Sequence, residues 1–196
     1  MFKVLKVLFV SALVAFAVGC TGAKEKTAGA KDILNDASVY FVRVSEVKRE
    51  FEQVKVDWDY APKLLATSNI PYSPIHRASL DASIAEIRTT LMFIDFSSNA
   101  ETIIVDAASF RQKMKVIMES LESIRGILVM YEDQLNLTPA KKVELQNMYD
   151  SMVAANSHVW ELQKLPGGVD ITEHVQNAFS YAETAGSLFK IYKMVK

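Results

Sequence analysis

The chain has 196 residues, half of them hydrophobic and 23% charged, with seven Gly and five Pro; that is too apolar and too poor in Gly and Pro for a disordered or collagen-like chain, and the length suits one domain. Its 22 Lys and Arg against 23 Asp and Glu leave a formal charge of -1, so nucleic acid is not an expected partner, because binding it draws on a surplus of cations to release counterions. The single cysteine excludes an internal disulfide, a zinc ribbon, a CxxC redox site and c-type haem attachment within this chain.

The first residues carry Lys3 and Lys6 and no acid. Residues 7–18 are then apolar except for Ser11, and Gly19 and Cys20 follow. A cationic start, a short apolar run and small residues before a cut site describe a secretory signal peptide. As helix the run spans only about 18 Å, well short of the roughly 30 Å hydrocarbon core, so it is not expected to stay as a membrane span. Ala17, Val18, Gly19 and Cys20 resemble the lipobox of bacterial lipoproteins, with Ala17 where Leu is more usual. The resemblance covers the targeting segment alone. It implies thioether diacylation of Cys20, cleavage before it and acylation of the new amine. Several chains on one residue anchor stably where one does not. Thr21, in place of the Asp that retains enterobacterium-like lipoproteins at the inner membrane, implies the outer membrane of a diderm host, facing the periplasm or the cell surface.

From Thr21 to Lys31 the chain is small and charged and reads as a flexible tether, reaching about 36–40 Å when fully extended. The pattern changes at Ile33. Ile33, Ala37, Tyr40, Val44, Val47, Phe51, Val54 and Trp58 alternate in steps of four and three, which predicts one helical stripe. Pro62 is expected to disturb that helix, and Pro71 and Pro74 to end any continuation.

Ser73-Pro74 reads as a cap followed by proline at the first helical position, and Leu80, Ile84, Ile87, Leu91 and Ile94 supply the next stripe. A third runs through Ile103, Ala107, Phe110, Met114, Ile117, Leu121, Ile124, Leu128, Tyr131 and Leu135. Thr138-Pro139 opens a fourth, with Leu145, Met148, Met152, Ala155, Val159 and Leu162. After Pro166-Gly167-Gly168, Asp170 is expected to cap a last helix with Glu173 as capping-box partner. Its stripe is Ile171, Val175, Ala178, Ala182, Ala185, Phe189 and Tyr192. The three alanines, with Gly186 beside them, should let a neighbouring backbone approach closely. No stretch shows sustained period-two alternation. The expected fold is all-α: an elongated antiparallel bundle of four to five heptad-patterned helices over 32–196, after a signal peptide at 1–19 and a lipidated, tethering segment at 20–31.

Chemistry-bearing patterns are sparse. GxSxG, the P-loop, GxGxxG and HExxH do not occur. No Glu precedes any of His76, His158 or His174 by three, which excludes the paired motif of di-iron bundles. His158-Val159-Trp160-Glu161 has the reversed order in one copy, and the histidines read as partly exposed residues that ligate nothing. A b-type haem held by Met and His remains open, although Met114, Met148 and Met152 fit as core filler. Asp57 and Asp59 point apart at i and i+2. No catalytic residue, metal site or cofactor is therefore expected.

The segment 58–75 holds three of the prolines together with Trp58, Tyr60 and Tyr72. Long ordered loops tend to be functional, and aromatics are enriched at interfaces. These three are the candidate partner-binding residues; the alternative is that they cap the end of the core. Leu137-Thr138-Pro139-Ala140-Lys141 is similar to the LTxxQ helix starts of small periplasmic helical chaperones and envelope-stress sensors, with Lys141 in place of Gln. A Thr cap followed by Pro explains it without kinship. The expected function is that of an envelope lipoprotein held to the membrane through Cys20, its bundle a non-enzymatic binding or structural module with a protein partner in the envelope. The alternatives are a chaperone or stress sensor, a carrier of an apolar ligand or haem, and a phage- or plasmid-encoded exclusion lipoprotein.

Overall fold

The computed structural model describes residues 38–193. Ala17, Val18, Gly19, Cys20, the tether, and Ile33 and Ala37 of the first stripe lie outside these residues. The described chain runs β1 (Val39–Arg43), α1 (Val44–Ala66), α2 (Pro74–Met92), β2 (Thr102–Asp106) and α3 (Ala107–Met130). A 3-10 turn (Glu132–Leu135), α4 (Pro139–Lys164), β3 (Val169–Asp170), α5 (Thr172–Gly186) and a short α6 (Leu188–Lys193) complete it. The second and third stripes belong to separate helices, so the long helices among the described residues number five. None of the described helices is long and apolar enough to cross a membrane.

The fold is mostly helical, but it is not all-α. Tyr40 and Ile103, placed on helical stripes by their spacing, lie in β1 and β2. β1 is the centre of a three-stranded sheet, antiparallel to β2 and parallel to β3. The run Val39-Tyr40-Phe41-Val42 is made of β-branched and aromatic residues, which favour a pleated, half-buried surface. Its burial alternates, with Tyr40 and Val42 inside, although the run is apolar at all four positions and so carries no period-two pattern in the sequence. Gly168, at φ 78°, turns the chain into β3 with a backbone that suits glycine, and its N–H donates to the Val39 carbonyl at 2.7 Å.

Each strand feeds directly into a helix that leaves the sheet: β1 into α1, β2 into α3, β3 into α5. The other two return to it. The ring of Phe96, just past α2, meets Phe51 of α1, with centroids 5.1 Å apart, and Leu165, just past α4, offers its carbonyl to the Tyr40 hydroxyl at 3.0 Å. The helices pack in a closed ring, each against its sequence neighbours and α1 against α5. The sheet is thus a buckle at one end, where three helix starts are held together.

Side-chain chemistry explains the helix ends. Ser73 and Asp106 accept from the N–H groups of His76 and Ser109, at 3.2 and 2.6 Å, and Thr138 accepts from Lys141 at 3.4 Å. Ser73 and Thr138 are each followed by a proline at the first helical position. Asp170 acts one position earlier than expected. It accepts from both the N–H and the hydroxyl of Thr172, at 2.9 and 2.5 Å, while the Thr172 oxygen accepts from the Arg43 N–H at 2.8 Å. Partial burial pushes the Asp170 carboxyl up, but the Thr172 hydrogen bonds and the Arg43 charge outweigh it and leave the group below its usual value.

The core follows the stripes with local departures. Tyr149, rather than Met148, faces inward from α4, and Leu135 is buried from the 3-10 turn after α3 has ended. Near the sheet, Phe51, Phe96, Phe110 and Phe179 pack edge-on or tilted around the bundle axis. Further along, α1 and α5 come very close. A Cβ added at Gly186 would sit 3.1 Å from Asp57 Cβ and 3.3 Å from Trp58 Nε1. Gly186→Leu is expected to cost about 1–3 kcal/mol by overpacking. Thermal denaturation followed by circular dichroism tests this; an unchanged midpoint would mean that the two helices can move apart freely.

Candidate functional site

The three aromatics singled out in the sequence do not form one site. Residues up to Ala66 are helical, because Pro62 is accommodated inside α1 at the loss of one main-chain hydrogen bond. The expected loop over 58–75 therefore shrinks to the residues between Ala66 and Pro74. Trp58 is fully buried, and its indole N–H donates to the Ala182 carbonyl at 3.3 Å. Tyr60 is exposed on α1, with the Lys63 ammonium 5.2 Å from its ring centroid. Tyr72 is half-buried at the end of the bundle away from the sheet, 4.7 Å from the Tyr131 ring.

That end holds a group of tyrosines. The Tyr131 hydroxyl accepts from the Ser73 N–H at 2.9 Å and lies 2.8 Å from His76 Nδ1. Tyr192 donates to the Leu128 carbonyl at 2.7 Å, and the Tyr149 and Tyr192 hydroxyls are 2.5 Å apart. Burial pushes Tyr149 up to about 12 and raises Tyr192 further, the neighbouring phenol adding to the effect on Tyr192. The Tyr72 hydroxyl is buried without a hydrogen-bond partner, and burial pushes it up to about 12, with the nearby Ser68 hydroxyl offsetting part of that rise. Neutral phenols bonded to helix carbonyls tie elements together. They are poor acids and poor bases at neutral pH.

A different cluster lies along the seam between α4 and α5, nearer the sheet. His158 and Glu161, one turn apart on α4, meet His174 from the first turns of α5. Glu161 Oε2 lies 3.9 Å from His158 Nδ1 and 3.7 Å from His174 Nδ1. One ligand-type atom from each residue falls within 4.8 Å of the others. The His158 ring stacks on Tyr181 of α5, with centroids 5.6 Å apart and planes at 17°. Both Nδ1 atoms are buried, and neither has a hydrogen-bond partner. The remaining histidine, His76, is held at the tyrosine end.

Sequence reasoning read His158 and His174 as separate residues that ligate nothing; the fold brings them together. Motif templates such as ExxH and HExxH look within one helix, whereas this set draws on two. A weaker signal was present. His158 precedes Val159 and His174 precedes Val175, so both border the buried stripes of helices that a short Gly-Gly turn makes antiparallel. No protein-family model, curated protein or solved structure matches this chain.

Proposed function

We propose that this protein is a lipid-anchored component of a bacterial cell envelope. Cys20 carries the anchor, residues 21–31 are the tether, and the helical bundle serves as a non-enzymatic binding or structural module in contact with another envelope protein. The observation that carries this reading is Cys20, the only cysteine of the chain, standing after a cationic start, a short apolar run and Gly19. The geometry of the bundle supports it. The chain enters the described fold at the sheet, so an anchor on Cys20 holds that end toward the bilayer and turns the tyrosine end away from it. Ile75 and Met130, which are 79% and 57% exposed, lie at that outer end.

Cys20→Ala is expected to abolish incorporation of a fatty-acid analogue and to release the protein from the membrane fraction, or to leave an unprocessed precursor. Labelling and membrane retention equal to wild type would reject the anchor. A photo-crosslinking side chain in place of Ile75 should give a discrete adduct with an envelope protein in cells; adducts with lipid alone from that position would reverse the orientation.

A further inference from the structure

We propose that His158, Glu161 and His174 bind one divalent transition-metal ion of the zinc class, bridging α4 and α5. Two imidazole nitrogens and one carboxylate oxygen are the donor set for such an ion. Calcium and magnesium take oxygen ligands. The distances suit it. A tetrahedral ion with bonds of about 2.0–2.2 Å holds its donors roughly 3.3–3.5 Å apart. The observed 3.7 and 3.9 Å separations close to that range if Glu161, whose side chain is 59% exposed, shifts by a few tenths of an ångström. The three donors lie within 4.8 Å of one another, so the two imidazoles also have to draw together, by roughly 1 Å, to reach a tetrahedral spacing. The stack on Tyr181 orients His158, and the adjacent Val159 and Val175 are buried in the core.

The unpartnered nitrogens supply the second argument. A buried polar atom without a hydrogen bond costs free energy, and here two such atoms face the same carboxylate at distances too long for a good hydrogen bond. An ion between them satisfies both lone pairs, and the Glu161 charge offsets part of its own. Three protein ligands leave the fourth position to water or to a donor from a partner molecule, as in open zinc sites. The site lies in the folded bundle, so the proposal stands whether or not Cys20 carries lipid.

The test is calorimetric titration with zinc chloride of the full chain in detergent, after chelator treatment, with cobalt(II) absorption as a second readout of coordination. Wild type is expected to bind one ion per chain and to give the intense visible bands of tetrahedral cobalt. Glu161→Gln and His174→Gln should each weaken binding by about tenfold or more, at least the loss seen when only a supporting residue is removed. His76→Gln should bind as wild type. Circular dichroism checks that each variant is folded. Glu161 is exposed, so its variant decides the matter even if His174→Gln is destabilised. Absence of saturable binding, or binding by Glu161→Gln equal to wild type, would overturn the proposal; the latter would assign the ion to other groups such as an unmodified Cys20.

Discussion

Trp58→Ala is expected to destabilise the bundle by about 3–5 kcal/mol, the range for truncating a large buried aromatic. In a domain of this size that corresponds to a melting midpoint lower by roughly 6–20 °C. The indole is fully buried and crosses the junction of three helices. Its N–H reaches the Ala182 carbonyl of α5, Gly186 leaves room for its five-membered ring, and Phe189 of α6 packs edge-on with centroids 6.1 Å apart. Removing it leaves a cavity that Ala182 and Gly186 cannot fill, because neither has a rotatable side chain to swing into it. Trp58→Phe keeps much of the apolar contact and loses the hydrogen bond, so it should fall between wild type and alanine. Thermal melts and urea denaturation measure both variants. A Trp58→Ala protein that melts with wild type would mean that the ring is not part of the core. Weaker partner binding by that variant alone would not identify a binding residue, since the fold is disturbed.

The helices were legible wherever two independent signals agreed. Ser73-Pro74 and Thr138-Pro139 mark helix starts by capping chemistry, and the stripes that follow them are buried as expected except at Met148, where Tyr149 faces inward instead. The alanines of α5 and Gly186 do permit the close approach of α1. The sheet was hidden because spacing is blind to conformation. Tyr40 stands four residues before Val44, so a strand residue pointing into the core falls on the same beat as the helix that follows. Ile103 stands in the same relation to Ala107. Composition was the better guide in both places, since Val39-Tyr40-Phe41-Val42 and Thr102-Ile103-Ile104-Val105 are runs of β-branched and aromatic residues. Pro62 misled in the other direction. A proline removes one hydrogen bond, but tertiary packing of Ala61, Leu64 and Leu65 holds the last turns of α1 in place. The His158–Glu161–His174 cluster depends on the register between two helices, which the turn through Gly168 and β3 and the packing of α4 on α5 set together.

Tyr40→Ala is the second substitution with a large expected effect, about 3–5 kcal/mol. In β1 the phenol ring is fully buried, with the Arg111 guanidinium 5.1 Å from its centroid. Its hydroxyl accepts from Arg111 Nε at 2.5 Å and donates to the Leu165 carbonyl at 3.0 Å, with the Leu162 carbonyl at 3.3 Å. Leu162 is in the last turn of α4, where its carbonyl also accepts from the Leu165 N–H at 3.3 Å, and Leu165 lies just past the helix. Tyr40 therefore ties the sheet to α3 and to the end of α4 with a single side chain. Tyr40→Phe isolates the hydroxyl and should cost about 1–2 kcal/mol, the loss expected for one buried hydrogen bond. Hydrogen exchange should rise in β1 and in the last turn of α4 before it rises in α2. An exposed ring would make both variants nearly neutral, so two small effects would remove the Tyr40 side chain from the core. A full-sized alanine effect with a neutral phenylalanine would keep the ring in place and take the α4 cap away from its hydroxyl.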